Sequence, residues 1–285
     1  MTEHEPGNEG RVPRTAEIPH GADQYPAQWP RDVHEDDRLL FGQAGGDMLT
    51  VGVLDWSVTQ PAEEVYDFTM LDGVLDRAVA EGRHVCLATA TAAVPPWLAK
   101  KYPEVHRTDI EGRRHGYGQR HNFCPTSRAY RRLSTALAGR LAERYARHPA
   151  LLAWHINNEY GGTCYCVLCA EAFRNWLRER YGTLDALNDA WCTTSHRFSD
   201  WDEVEPPSAP SEHWRSPDHT AFQGITLQYQ RFMTDALLDC FTAEKDAIRV
   251  HDPDTPVTTS LIGIHRPIDH HRWASSSGAS GQVTR

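Results

Sequence analysis

With 285 residues, 40% of them aliphatic, aromatic or cysteine, the chain is long enough for one large domain or two small ones and has ample material for a core. A formal net charge of −10, from 29 Lys plus Arg against 39 Asp plus Glu, argues against nucleic acid or anionic membrane as a partner. No apolar run approaches a membrane span and the N-terminus lacks a signal-like apolar segment, which points to the cytoplasm.

The predicted elements alternate between strand and helix. Residues 1–19 are polar and rich in Glu, Gly and Pro, a composition that favours disorder. Ala22–Tyr25 forms a weak first strand, Asp32–Gln43 a first helix and Leu49–Leu54 a second strand. The next helix carries Phe68, Leu71, Leu75, Ala78 and Val79 on one face and stops at Gly82; His84–Ala90 is the third strand. A long loop with Pro95-Pro96 and several glycines leads to Cys124. Tyr130, Leu133, Leu137, Leu141 and Tyr145 then mark a helical stripe, His148-Pro149 is a stop, and Leu151–Ile156 is the fourth strand. A helix with Phe173, Trp176, Leu177 and Tyr181 ends at Gly182, and Thr183 caps a short successor carrying Leu184, Leu187 and Trp191. After Pro206, Pro207 and Pro210 a long helix spans Phe222 to Val250, and Val257–Ile262 is a fifth strand. Such repeats predict a parallel sheet, and polar chemistry at the strand ends favours a (β/α)8 TIM-type barrel over a doubly wound sheet.

The most informative segment runs from Trp154 to Gly161, where an apolar strand leads straight into Asn158-Glu159. In a barrel of parallel strands, polar residues at the C-terminal end of a strand stand at the active-site rim. A carboxyl held there against an apolar wall suits general acid–base work near neutral pH. The Asn158 amide beside it can bond a sugar hydroxyl. Away from such a setting, a Glu after a strand is an ordinary solvated residue.

Cys164, Cys166 and Cys169 lie in C-x-C-x2-C spacing just ahead of a helix. Three such thiols can converge on one tetrahedral ion, with the helix N-terminus helping to keep them ionised. Cys124, in Asn122-Phe123-Cys124-Pro125, is the best-placed fourth sulfur. A disulfide framework fits less well, because seven cysteines leave one unpaired and no secretory segment is seen. Cys86, Cys192 and Cys240 read as small apolar residues within strands or helices.

Several separate motifs resemble the N-terminal half of a β-galactosidase of glycoside hydrolase family 42. Tyr25-Pro26-Ala27-Gln28-Trp29-Pro30 resembles the family's opening Y-x-P-E-x-W-P, and Trp56 with Val65-Tyr66-Asp67-Phe68 its second-strand segment. Ala90-Thr91-Ala92 with Pro95-Pro96-Trp97-Leu98 resembles the third-strand end, and Arg120-His121-Asn122-Phe123-Cys124 matches R-x-H-x-C except at Asn122. Asn158-Glu159-Tyr160-Gly161 matches N-E-Y-G, the downstream cysteines match C-x-C-x2-C, and Arg180 to Asn188 with Ala190-Trp191 is close to the family's helix pair. The resemblance covers Gly21 to Trp273. It implies hydrolysis of terminal β-D-galactosides with retention, with Glu159 as general acid/base and Arg120 and Asn158 binding galactose hydroxyls. It further implies a structural zinc ion on Cys124, Cys164, Cys166 and Cys169 that staples two rim loops, and a homotrimer for the full-length family member. Trp29, Trp56 and Trp97 read either as sugar-stacking platforms or as core residues.

Two departures from the family pattern bear on activity. Trp191-Cys192-Thr193-Thr194-Ser195-His196 stands where the family has G-T-x-F-W-S after Ala-Trp, which puts one aromatic wall of the sugar site in doubt. Retention also needs a second carboxylate about 5–5.5 Å from the first, and the family carries it at the end of its seventh strand. The expectation is a partial catalytic barrel over residues 20–274, truncated after its fifth strand, between a disordered segment 1–19 and a non-family, linker-like tail 275–285. Such a piece is expected to have little or no activity alone. The alternatives are a non-catalytic galactose- or zinc-binding fragment, and a glycosidase using another carboxylate, such as Asp55 or Glu63.

Overall fold

The computed structural model describes residue 15 and residues 18–118, 120–211, 223–262 and 268–277. Strands and helices follow in the order β1 (Gly21–Gln24), α1 (Arg31–Gln43), β2 (Met48–Val51), α2 (Trp56–Thr59), α3 (Thr69–Ala80), β3 (His84–Ala88), α4 (Pro96–Lys101) and α5 (Arg128–Tyr145). The chain continues through β4 (Leu151–His155), α6 (Val167–Tyr181), α7 (Leu184–Trp191), α8 (Gln223–Arg249), β5 (Val257–Thr258) and α9 (His270–Ser277). All strand pairs are parallel, in the order β1-β2-β3-β4-β5. Each strand therefore pairs with its neighbour in sequence across a helical crossover, the arrangement of consecutive strands in a (β/α)8 barrel. β1 and β5 are the edges of the described sheet.

The register explains the two faces. Val51 pairs with Leu87, Leu87 with Trp154 and Trp154 with Val257, and this row belongs to the main core under the helices. The preceding row, Asp23, Thr50, Cys86 and Ala153, points the other way, as a pleat of period two requires. The Met48 carbonyl occupies the place that a Cβ on Gly21 would take, so β1 can approach β2 this closely only with glycine there.

The main core joins the sheet to α3, α5 and the C-terminal part of α8, with Leu133, Leu137 and Leu141 facing Leu237, Phe241 and Ile248. A second core surrounds Cys124, Cys164 and Cys169 and takes Phe173 and Leu177 from α6, Leu187 from α7, and Tyr229, Phe232 and Met233 from α8.

Several elements differ from expectation. Pro95-Pro96 does not simply break the chain: Pro96 is the first residue of α4, and a 3-10 turn (Pro103–Val105) follows. Proline tolerates a first helical turn because its missing N–H has no intrahelical partner there. Val79 is 44% exposed, so the apolar face of α3 consists of Leu71, Leu75 and Ala78. Cys192 is not a small core residue; it is exposed, with a left-handed φ of 53° at the end of α7. Cys86 and Cys240 are buried as expected. Strands β2 to β5 end sooner than the apolar runs do, because the last residues of each run turn into the rim loops. The expected start of the long helix at Phe222 lies outside the described residues, as does all but residues 15, 18 and 19 of the segment 1–19 expected to be disordered. Among the described residues no helix is long and apolar enough to cross a membrane.

Candidate active site and candidate metal centre

The rim at the end of β4 is built around an unusual backbone. Asn157 and Glu159 both have left-handed φ, 57° and 48°, a conformation costing on the order of 1 kcal/mol or more for a residue with a Cβ unless its surroundings hold it. Here they do. The Asn157 N–H donates to Thr89 Oγ1 (2.8 Å), and its side-chain amide donates to Thr91 Oγ1 and Tyr130 Oη (3.1 Å each). Asn157 Oδ1 accepts from the Asn158 N–H at 2.8 Å. The Glu159 N–H donates to Ser260 Oγ at 2.8 Å, and Ser260 Oγ in turn donates to Asn158 Oδ1 at 3.1 Å. Beyond the turn, Tyr160 resumes the ladder with the chain after β5.

This turn aims Glu159 into a cluster of charge. Arg120 Nη1 lies 2.8 Å and His121 Nε2 3.8 Å from Glu159 Oε2. The Glu159 side chain is 29% exposed, and among the described contacts its Oε2 meets the Arg120 guanidinium. Arg120 and Glu159 are thus brought together as expected. Asn158 is 8% exposed, and its Oδ1 meets both Ser260 Oγ and His155 Nε2 (3.2 Å), which leaves its Nδ2 as the group for a ligand among the described contacts. Tyr25, at the end of β1, lies within the fields of Arg120, Glu159 and Asp55; burial, more than the nearby carboxylates, raises its pKa.

The alternative carboxylates separate cleanly. Glu63 is held by Lys101 (2.6 Å), Arg132 (2.8 Å) and Tyr102 Oη (3.0 Å), and the Lys101 bond above all lowers its pKa to about 2. It is a structural ion-pair hub. Asp55, before α2, is 3% exposed, and burial pushes its pKa up. Trp56 is fully buried, with its Nε1–H donating to Gln60 Oε1 (2.8 Å) and its ring edge-on to Tyr130; it is a core residue. Trp97 is partly buried and donates to the Gln60 carbonyl (2.7 Å), whereas Trp29 is 56% exposed.

The four cysteines converge. The Sγ atoms of Cys124, Cys164, Cys166 and Cys169 all lie within 4.8 Å of one another, and Cys124 Sγ is 3.4 Å from Cys166 Sγ and 3.5 Å from Cys169 Sγ. A tetrahedral tetrathiolate with metal–sulfur bonds of about 2.3 Å has S···S edges of about 3.8 Å, so the donor set fits a tetrahedral ion. The Thr108 N–H donates to Cys164 Sγ (3.4 Å), and Thr126 Oγ1 stands 3.1 and 3.2 Å from the sulfurs of Cys124 and Cys169. Hydrogen bonds from Cys124, then Cys164 and Cys169, hold the Cys166 thiol far below its ordinary pKa. The cluster could hold a metal ion, with Cys166 at the N-cap of α6 and Cys124 on the loop before α5.

Ser260, Thr89 and Thr126 lie around the rim and the cysteine cluster without having been marked by the sequence, and Thr91 was marked only as part of Ala90-Thr91-Ala92. Thr89 and Ser260 follow strands and Thr126 lies two residues after Cys124, and that position was their only signal.

Comparison with known proteins places this geometry. The β-galactosidase profile of glycoside hydrolase family 42 matches residues 23–280. The β-galactosidase BgaP of Planococcus sp. is 48% identical over 258 residues, covering 90% of this chain and 38% of that protein. The crystal structure of the β-galactosidase from Bacillus circulans sp. alkalophilus superposes with a TM-score of 0.86 at 50% identity, covering 90% of this chain and 38% of the other. The cold-adapted β-galactosidase of Rahnella sp. gives 0.86 at 37% identity, with 92% and 38% covered. The chain therefore spans a little over a third of the length of these relatives, and its fold is the corresponding part of their TIM barrel. By sequence and fold, the chain belongs to glycoside hydrolase family 42, the β-galactosidases.

Proposed function

We propose that this chain carries the acid/base half of a retaining β-galactosidase site. The observation that supports it most is the Arg120–Glu159 pair at 2.8 Å, presented by a left-handed turn at the end of β4. In this reading Glu159 protonates the glycosidic oxygen as the bond to the leaving group breaks, then takes a proton from the water that releases the sugar. Arg120 and the Asn158 amide bind galactose hydroxyls and hold the ring against Glu159. The nucleophilic carboxylate is assigned to the length of the relatives that this chain does not span, so the isolated chain is expected to turn over little or no substrate. The partial catalytic unit is proposed for residues 20–274, flanked by segments 1–19 and 275–285, with α9 running on to Ser277 and the family match to residue 280. The full-length protein is proposed to act in the cytoplasm as a homotrimer.

Zinc is the proposed occupant of the four-cysteine cluster, where it supplies a structural cross-link and no catalytic step. Cys124 ties the loop before α5 to the Cys164–Cys169 segment, which follows Glu159 directly. The cluster thus anchors both loops that carry the rim residues Arg120 and Glu159.

The decisive experiment uses a full-length enzyme containing this segment. Glu159→Gln should lower kcat by about 10²–10⁴-fold, with partial recovery by added azide, while the 285-residue chain stays inactive on aryl β-galactosides. Robust turnover by the pure chain, lost on Glu159→Gln, would show that a second carboxylate is already present, with Asp55 the first residue to test.

A further inference from the structure

Glu244, on the buried face of α8, is fully buried and has no part in the chemistry proposed above. Its Oε2 accepts from Thr89 Oγ1 at 2.8 Å and from Thr91 Oγ1 at 2.9 Å. The two hydroxyls also lie 3.1 Å from each other, but each has one proton to give and Glu244 Oε2 is the acceptor they share. With the protons given to that carboxylate, their lone pairs receive the backbone N–H and side-chain amide of Asn157. One carboxylate thus orients two hydroxyls, and the two hydroxyls hold the left-handed residue on which Asn158 and Glu159 depend.

We propose that Glu244 is a positioning residue for the rim, which fixes the Asn157 turn, and through it Asn158 and Glu159, by way of Thr89 and Thr91. The device works best with Glu244 ionised, because charge-assisted bonds to both hydroxyls are stronger than those to a neutral acid. Burial raises the Glu244 pKa to about 7, against the opposing effect of Thr89, Thr91 and Ser134. The other titratable groups facing it are Tyr130 from α5, Tyr160 from the segment after β4 and Cys240 from its own helix. Burial holds all three well above their ordinary values, Cys240 at about 12, so they stay neutral. Arg131, the cation on the same side of α5, is engaged by the Pro125 and Ala236 carbonyls and by Asp239. Glu244 is therefore the group in this nest that changes charge near neutrality, and the turn at Asn157 tightens as it ionises.

The consequence for turnover rests on the reading of Glu159 as acid/base, so the test reads the turn itself. In the isotopically labelled 285-residue chain, the Asn157 amide resonance is followed from below to above neutral pH, and its hydrogen exchange is measured. The wild-type resonance should titrate with a midpoint near 7. In Glu244→Gln that transition should vanish while exchange protection is kept, since the amide oxygen still accepts from both threonines. In Glu244→Leu exchange at Asn157 should accelerate about tenfold or more, the weight of one lost hydrogen bond. A transition that persists in Glu244→Gln would assign it to another group, such as His155, and overturn the proposal. So would unchanged protection in Glu244→Leu. If Glu244→Leu does not fold, the Glu244→Gln titration decides alone, and neither result depends on the catalytic role of Glu159.

Discussion

One helix, α8, serves two cores of different construction. Its C-terminal part gives Leu237, Phe241 and Ile248 to the main core, where they meet the aliphatic stripe of α5. Its N-terminal part gives Tyr229, Phe232 and Met233 to the second core, which contains no strand and is built of aromatic rings around sulfur. There Phe173 and Tyr229 meet edge-on at 4.8 Å, and Tyr165 stacks on Tyr229 at 5.1 Å. The main core is continuous, close-packed and held by burial, which needs no partner. The second core encloses four thiols close enough to share one ion, and on the proposed reading its order depends on that ion.

The largest effect should follow from breaking that junction. Structural zinc in a cysteine site carries an apparent binding free energy of about 10–16 kcal/mol. Cys169→Ser or strong chelation should take the zinc content from about one ion per chain to near zero. Tyr165, Trp176 and Tyr229 should then lose their fixed near-UV signals, while most of the far-UV helix signal from α3, α5 and the C-terminal part of α8 persists. Loss of the whole far-UV signal would mean that the two cores are one cooperative unit. Well-folded protein with far less than one zinc would remove the metal from the second core altogether.

Within the main core, Trp154→Ala should cost about 3–5 kcal/mol. Trp154 is fully buried on β4, between β3 and β5, and its Nε1–H donates to Asp252 Oδ2 at 2.8 Å. Urea unfolding reads this directly, and a loss below about 1.5 kcal/mol would place the residue in a site that collapses easily. A comparable change comes from pH. The Glu244 pKa rises from 4.5 in the unfolded chain to about 7 when folded, so the folded state binds the extra proton between those values. Stability from this group is complete below pH 4.5 and is lost as pH rises through about 7. A pKa raised from 4.5 to about 7 amounts to about 3 kcal/mol, at about 1.4 kcal/mol per tenfold change in proton affinity. The stability difference between wild type and Glu244→Gln, measured at the two ends of that window, should change by about this amount. A flat difference would mean that water reaches the carboxyl.

The same contrast governs what could be read from sequence. The stripe Tyr130 to Tyr145 fixes α5 because helical periodicity is a local signal, and the C-x-C-x2-C spacing brings three of four sulfurs together for the same reason. Cys124 joined them as the best-placed cysteine left on another loop and through the R-x-H-x-C resemblance, since loop closure over that distance leaves no periodic trace. The supports of the left-handed turn at Asn157 and Glu159 were not legible. Ser260 is 101 residues from Glu159, and Thr89 is 68 from Asn157; their contacts follow from sheet register, which hydrophobic pattern specifies only for the buried face. Pro95-Pro96 misled in the opposite direction, because proline reads as a breaker until its place at the first turn of α4 is known.

The smallest effects sharpen the comparison most, because the two cores contain matched helix caps. Ser127 Oγ accepts the Tyr130 N–H at the start of α5, and Thr183 Oγ1 accepts the Ala186 N–H at the start of α7, each at 3.2 Å. Ser127 is fully buried whereas Thr183 is exposed. Replacing Ser127 by Ala leaves a buried N–H that water cannot reach, so the loss should be about 1–2 kcal/mol. In Thr183→Ala water replaces the hydroxyl, and the loss should be about 0.5–1 kcal/mol. More telling than either size is where each loss is felt. Ser127→Ala should shift the global urea midpoint, since α5 lies in the core whose unfolding ends all structure. Thr183→Ala should leave that midpoint nearly in place and instead speed hydrogen exchange in the α7 amides, because the second core opens separately. If Thr183→Ala moved the global midpoint as far as Ser127→Ala does, α7 would open only with the sheet, and the two cores would have to be treated as one.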